Sequence, residues 1–254
     1  MPLHPINYYP TPPDAYAAER CTVTIDRPAN DHYPLFVYFH GGGLETGGRD
    51  EGDDFSARMT AEGIGVVRAQ YRLHPQVNCP AYIEDAAAAI AWTLDNIHLH
   101  GGDSKNVFVT GHSAGGYLAA LVCLAPQFLQ KHNHHPRDIR GCVPSSGQML
   151  THFTIRKEHG QPITRPVIDE FAPLYYAHDV EAKMPLLLIV GAGDMPARVE
   201  ENALLHATRL ANGHTDSQLL VIPDRDHHTV HHGWREKDDP AAVETLKFVK
   251  RFVR

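Results

Sequence analysis

The residues Gly111-His112-Ser113-Ala114-Gly115 have the types and the spacing to present a serine hydroxyl for nucleophilic attack. They follow the apolar run Val107-Phe-Val-Thr110 and lead into Tyr117-Leu-Ala-Ala-Leu-Val-Cys-Leu124, which predicts a strand, a sharp turn and a helix in immediate succession. Small residues at 111 and 115 suit such a turn, because side chains there would collide with the neighbouring strands. The turn would hold Ser113 in a strained backbone conformation with its hydroxyl exposed. The helix N-terminus behind it favours developing negative charge. A bare G-x-S-x-G arises often by chance; the strand before and the helix after give this one its weight.

A second group, His40-Gly41-Gly42-Gly43, follows the apolar run Leu35-Phe-Val-Tyr-Phe39. Backbone amides freed from side chains can point at an oxyanion. The expected donors are the amides of Gly42 and Gly43, with the amide of Ala114 next to the nucleophile. Gly41 is expected mainly to shape the turn and His40 to brace the loop.

These residues need a scaffold that brings strand ends together. Further short apolar runs read as strands at Gly63–Tyr71, Gly141–Ser145, Leu186–Val190 and Leu219–Ile222. Continuous apolar strands of this kind are usually covered on both faces, as in a parallel sheet. Helical patterns separate them. Ile83, Ala87, Ile90, Leu94 and Ile97 mark one face of a helix over Pro80–Ile97. Val199–Leu210 is helical up to Asn212-Gly213, and a last helix starts at Asp239-Pro240 with the stripe Ala242, Leu246, Val249 and Val253. The alternation predicts one α/β domain over 1–254 with a mostly parallel sheet and helices on both faces. Residues 149–172 break the alternation and read as a small lid; residues 1–20 read as an N-terminal flap.

Composition is ordinary for a globular chain of 254 residues, with 43% apolar and 21% charged residues. The formal charge of −7 is spread along the chain without a basic stripe, which argues against nucleic acid as a partner. No apolar run approaches the ~20 residues of a membrane span, and the N-terminus has no signal-peptide pattern. A cytoplasmic protein is the expectation, although removal of a leader would leave the same picture. Cys123 and Cys142 sit in apolar runs and read as buried free thiols. Among 19 histidines, His132, His134 and His135 form one cluster and His227, His228, His231 and His232 another. No ligand-spaced carboxylate or cysteine joins them, so no metal is expected. They read as exposed loop histidines that gain charge as pH falls toward about 6.

With its HGGG loop and its serine turn, the chain resembles the esterase/lipase group of α/β-hydrolases, in the hormone-sensitive-lipase-like and feruloyl-esterase/kynurenine-formamidase-like branches. Tyr71-Arg72-Leu73, Pro80-Ala81 and Glu84-Asp85 resemble the segment such enzymes carry before the serine, and the similarity runs from about residue 20 onward. The resemblance implies a triad in the order Ser, Asp or Glu, His. Asp194, after Leu186-Leu-Leu-Ile-Val190 and Gly191-Ala-Gly193, fits the acid. Asp226-His227-His228-Thr229-Val230 fits the family's histidine loop with His227 in the catalytic place; His228 replaces the usual aromatic and is the alternative base. The chemistry implied is acyl transfer through Ser113, with no metal or organic cofactor. The substrate would be a small-molecule ester with a short or medium acyl group or an aryl ester. A homodimer is the one macromolecular partnership considered. An arylformamidase acting on N-formylkynurenine is the alternative of the same chemistry; a non-catalytic ligand-binding protein is the alternative of another class.

Overall fold

The computed structural model describes residues 5–179 and 184–254. Eight strands form one sheet: β1 (Ile6–Asn7), β2 (Thr22–Asp26), β3 (Tyr33–Phe39), β4 (Gly65–Ala69), β5 (Gly102–His112), β6 (Gly141–Ser145), β7 (Leu186–Gly193) and β8 (Ser217–Asp226). Their order is β1-β2-β4-β3-β5-β6-β7-β8. The first two pairings are antiparallel, and every pairing from β4 to β8 is parallel.

Among the described residues eight α-helices accompany the sheet: α1 (Ala15–Arg20), α2 (Asp53–Ala61), α3 (Ala81–Asn96), α4 (Ala114–Leu124), α5 (Pro126–Gln130), α6 (Phe153–Glu158), α7 (Arg198–Ala211) and α8 (Pro240–Phe252). Alternate strand residues feed two cores. Leu35, Val37, Phe39, Val107, Val109, Leu186 and Leu188 face α3, α4 and α7. Phe36, Tyr38, Phe108, Val143, Leu187 and Ile189 face α2 and α8. The period of two in side-chain direction thus explains why these runs are apolar at every position. The expected stripe of α3 is buried throughout, whereas Val253, the last residue of the α8 stripe, lies beyond the helix and is exposed.

Asp14 caps α1 by accepting from the Ala17 amide, and Asp239 caps α8 by accepting from the Ala242 amide. α4 is different: every one of its residues is buried and it runs through the centre of the larger core.

The N-terminal segment differs from the expected flap. Residues 6–7 extend the sheet as its antiparallel edge strand. Arg20 then donates to the carbonyls of Tyr71 and Gly47, which ties the segment to the loops after β4 and β3. Residues 1–4 of that expectation lie outside the described residues. Among the described residues no helix is long and apolar enough to cross a membrane.

Parallel strands set their C-terminal ends along one edge. His40, Ser113, Ser146, Asp194 and His227 each come directly after a strand on that edge, the position where sites of open α/β sheets gather.

Candidate active site

The turn after β5 carries Ser113 at φ 57° and ψ −118°, a region costly for a non-glycine residue. Two contacts hold it there: the Ser113 amide donates to the Ser145 carbonyl at 2.9 Å, and its carbonyl accepts from the Tyr117 amide at 2.9 Å. The glycine at 115 is required by packing, because a Cβ there would stand 2.0 Å from the Phe39 carbonyl oxygen.

The Ser113 hydroxyl lies 2.8 Å from His227 Nε2, and His227 Nδ1 lies 2.7 Å from Asp194 Oδ1. A carboxylate only accepts, so Nδ1 carries the proton and Nε2 is the bare nitrogen that accepts from Ser113. Asp194 has a fully buried side chain. It also accepts from the Met195 amide at 2.7 Å and from the Ser146 hydroxyl. Burial pushes its pKa up, but the bonds from His227, Ser146 and Met195 outweigh this and hold it below the usual carboxylate range.

His228 does not reach Ser113. It is exposed and stands edge-on to His227, with ring centroids 5.4 Å apart, so it does not fill the packing place expected for it. Asp226 pins the turn between them. Its Oδ1 accepts from the His228 amide at 3.0 Å and from the Thr229 amide and hydroxyl at 2.8 Å. The bonds from Thr229, ahead of the His228 amide, lower its pKa to about 2.

The glycine loop after β3 lies against the nucleophile: a Cβ on Gly41 would be 3.4 Å from Ser113 Cβ. The Gly41 amide is already engaged by Glu51 Oε2 at 3.0 Å. Gly42 has φ 91° and a Cβ there would stand 2.3 Å from the Thr46 carbonyl oxygen, so only glycine fits. The amides of Gly42, Gly43 and Ala114 have no protein acceptor among the described residues. Free amides beside a serine hydroxyl can receive a developing oxyanion.

The family-like segment after β4 supports this loop. Tyr71 donates to the carbonyls of His40 and Gly41 at 2.8 and 3.2 Å and stacks on the His40 ring at 4.4 Å. Arg72 is fixed by the fully buried Asp85 through Nε at 2.9 Å and a terminal nitrogen at 2.7 Å, and by Asp14 at 2.7 Å.

Three histidines brace the site as neutral rings. His40 Nδ1–H donates to the Gly41 carbonyl at 2.9 Å. His112 Nε2–H donates to the His227 carbonyl at 2.7 Å, which fixes the backbone of the base. His231 stacks on His112 at 4.6 Å. Its Nδ1 accepts from the Trp234 indole at 3.0 Å, so its Nε2–H faces Tyr38 Oη at 2.8 Å. The expectation of exposed, titrating loop histidines therefore fails at His231, because packing against Tyr38 of β3 and His112 of the serine turn encloses most of its ring. Among the described residues no group of three or more His, Cys, Asp or Glu converges as a metal site. His134 instead pairs with Asp95 at 3.0 Å. All four cysteines are free, with Cys123 and Cys142 buried.

Burial lowers the pKa of His40 and His231 to about 4, and that of His112 and His152 well below the usual value. The unfolded chain, with histidines near 6.5, binds protons first on acidification. The stability these groups contribute is complete above about 6.5 and is lost as pH falls toward 4. His40, which is fully buried, alone accounts for about 3 kcal/mol, against a total of 5–15 kcal/mol for an ordinary domain. Urea unfolding followed by circular dichroism should show a midpoint that drops steeply between pH 7 and 4.5. A constant midpoint over that range would mean that these rings are not buried neutral.

Residues 149–172 lie beside the glycine loop. Thr154 at the start of α6 donates to the Gly43 carbonyl at 2.6 Å, and the Phe153 ring faces Gly43. Between this segment and the start of α7 is a cavity of about 540 Å³ walled by Leu150, Phe153, Ile163 and Met195. Its volume is in the range of small-molecule sites.

A family model described as the alpha/beta hydrolase fold matches residues 36–231. The chain belongs to this family. It is 43% identical over 94 residues to Carboxylesterase NlhH of Mycobacterium tuberculosis, covering 36% of this chain and 29% of that protein. It is 41% identical over 214 residues to Carboxylic ester hydrolase LipN of the same organism, covering 74% of this chain and 55% of that protein. The chain thus spans about a third to a half of the length of these relatives. Among solved structures, inhibited esterase B from Lactobacillus rhamnosis superposes with a TM-score of 0.80 at 19% identity, covering 99% of this chain and 87% of that one. Thermogutta terrifontis esterase 2, phosphoramylated by tabun, gives 0.75 at 19% identity over 98% and 92%. At that identity the likeness establishes the fold.

Four residues of the site escaped the sequence reading. Ser146 and Glu51 bond to Asp194 and to the glycine loop, and His112 and His231 back the base. His112 was visible as the variable residue of the serine turn, but nothing in the spacing paired it with residue 231.

Proposed function

We propose that the chain is a serine carboxylesterase that works as one α/β-hydrolase domain over 1–254, with residues 149–172 as a small lid. The observation that carries this reading is the bonded series Ser113–His227–Asp194 beside the free amides of Gly42, Gly43 and Ala114. His227 Nε2 takes the Ser113 proton as Oγ attacks the acyl carbon. The carbonyl oxygen becomes the oxyanion and receives the free amides. His227 then returns the proton to the departing alcohol, leaving an acyl-enzyme. Water attacks that ester with His227 again as base, and Ser113 is released with the carboxylic acid. Asp194 keeps the imidazole in the tautomer that this needs and stabilises the imidazolium. No step calls for a metal or organic cofactor.

The relatives named as carboxylesterase and carboxylic ester hydrolase support ester over amide substrates. A cytoplasmic site of action belongs to the same proposal. The test is a panel of p-nitrophenyl acyl esters, feruloyl esters and N-formylkynurenine. Turnover should peak at short acyl chains, since the cavity walled by Leu150, Phe153, Ile163 and Met195, whose Phe153 faces Gly43, is of limited volume. A maximum at the long-chain end would contradict this, and faster turnover of N-formylkynurenine than of any ester would make the chain a formamidase.

A further inference from the structure

The cavity between α6 and α7 has a charged side that ester hydrolysis as described does not use. Arg156 from α6 and Arg198 and Glu201 from α7 line it, and they are only 4%, 4% and 6% exposed. Long ionic side chains are rarely buried this far without full pairing. Glu201 is fully answered. Its Oε1 lies 2.9 Å from Arg198 Nε, and its Oε2 accepts from the Leu150 amide at 3.1 Å. Arg198 also donates to the Ser146 carbonyl, which links it to the residue that bonds Asp194. Arg156 is not answered in this way. Its hydrogen-bond partner is the neutral Arg165 carbonyl, and its buried Nε has no acceptor; Arg198 Nε also lacks an aligned acceptor but has the Glu201 carboxylate at ion-pair distance, which Arg156 does not. Among the described residues it forms no ion pair; Glu201 acts on it only through space, and burial prevails in lowering its pKa. Nearby His152 is buried and held neutral, so it neither adds to the charge nor cancels it.

On the cavity wall two guanidiniums stand against one carboxylate, with Arg198 also under the influence of Asp194; the rest of the lining is mainly apolar, with Gln148 and Thr164 as its neutral polar groups, so Arg156 is the cation left without a close counter-charge. Two of its lining residues adjoin the site, Phe153 at Gly43 and Met195 next to Asp194. A ligand that brought one negative charge would complete the pairing without displacing Glu201.

We propose that Arg156, with Arg198 beside it, forms an anion subsite, and that the preferred substrates are esters carrying a free carboxylate, such as monoesters of short dicarboxylic acids. The inference rests on the serine-esterase reading for its reaction, and the subsite itself rests on the buried cation. The apolar wall would pack the methylene spacer between the ester and the carboxylate.

The test compares p-nitrophenyl hydrogen glutarate with its neutral counterpart, p-nitrophenyl methyl glutarate. The wild-type chain should prefer the charged ester by about tenfold or more in kcat/KM, mostly through KM, because a charge-assisted hydrogen bond is being formed. Arg156→Gln should bring that ratio toward one, and Arg156→Lys should restore part of it. Glutarate itself should bind the Ser113→Ala protein in calorimetry, and that binding should disappear when Arg156→Gln is added. A wild-type preference for the methyl ester overturns the proposal, as does a ratio unchanged in Arg156→Gln, which would make Arg156 only a fastener of the loop at Arg165. If Arg156→Gln does not fold, the wild-type ratio and glutarate binding decide. Should neither ester be turned over while glutarate binds in an Arg156-dependent way, the subsite stands and the esterase reading falls.

Discussion

Ser113→Ala lowers kcat/KM for every ester the chain hydrolyses by at least about a thousandfold and leaves the fold in place. In the proposed mechanism the hydroxyl has one role that alanine cannot take over, because Oγ is the atom that bonds the acyl carbon. Residual turnover comes from water held against the free amides of Gly42, Gly43 and Ala114. The fold is spared because the turn is held by backbone bonds from Ser113 to Ser145 and from Tyr117 to Ser113, which alanine keeps. Alanine bears the same strain at φ 57° as serine. Steady-state kinetics with p-nitrophenyl butyrate, next to thermal unfolding of both proteins, reads the two halves of this expectation. Activity within about threefold of wild type would remove Ser113 from the mechanism.

The second large effect separates two adjacent histidines. His227→Ala should lower kcat/KM by about a thousandfold or more, close to the loss for Ser113→Ala, because groups that act as one unit do not lose activity additively. His228→Phe should keep most activity. Their geometry differs in kind. His227 spans Asp194 and Ser113 at 2.7 and 2.8 Å, while the exposed His228 touches only the edge of the His227 ring. Asp226 makes this choice rigid by gripping the amides of both 228 and 229. The double variant His227→Ala/Ser113→Ala should be little worse than either single one. Loss of activity in His228→Phe with retention in His227→Ala would move the base by one residue and leave the remaining steps unchanged.

Much of this arrangement was legible in the chain because its signals are local. The serine turn needs glycine at 115 to clear the Phe39 carbonyl, and the loop needs glycine at 42 for a positive φ; both demands appear as letters in the sequence. Asp194 and His227 follow from the resemblance's triad order and its Asp-His loop together with their place after strands, which parallel topology turns into proximity across 33 residues. β2, Thr22-Val-Thr-Ile-Asp26, alternates with a period of two and lacks the continuous apolar run that marks the parallel strands. α2 was hidden by its charges, because only Phe55, Ser56 and Met59 of its nine residues are buried. The histidine brace was illegible for another reason. A ring at 231 becomes neutral and structural only when Trp234, Tyr38 and His112 converge on it, and convergence of that kind leaves no spacing to read. Ser146 is similar: a serine after a strand is unremarkable until β6 and β7 pair and set its hydroxyl against Asp194.

The central claim is that acyl transfer passes through a covalent bond to Ser113. A fluorophosphonate reacts with a serine hydroxyl only when a base removes its proton and an oxyanion site receives the phosphonyl oxygen. Mass spectrometry of the intact wild-type chain after treatment should therefore show one adduct per chain. Peptide mapping should place it on Ser113, with ester hydrolysis lost in step with labelling. No adduct on an actively hydrolysing chain, or an adduct at another residue that tracks the loss of activity, would contradict the account.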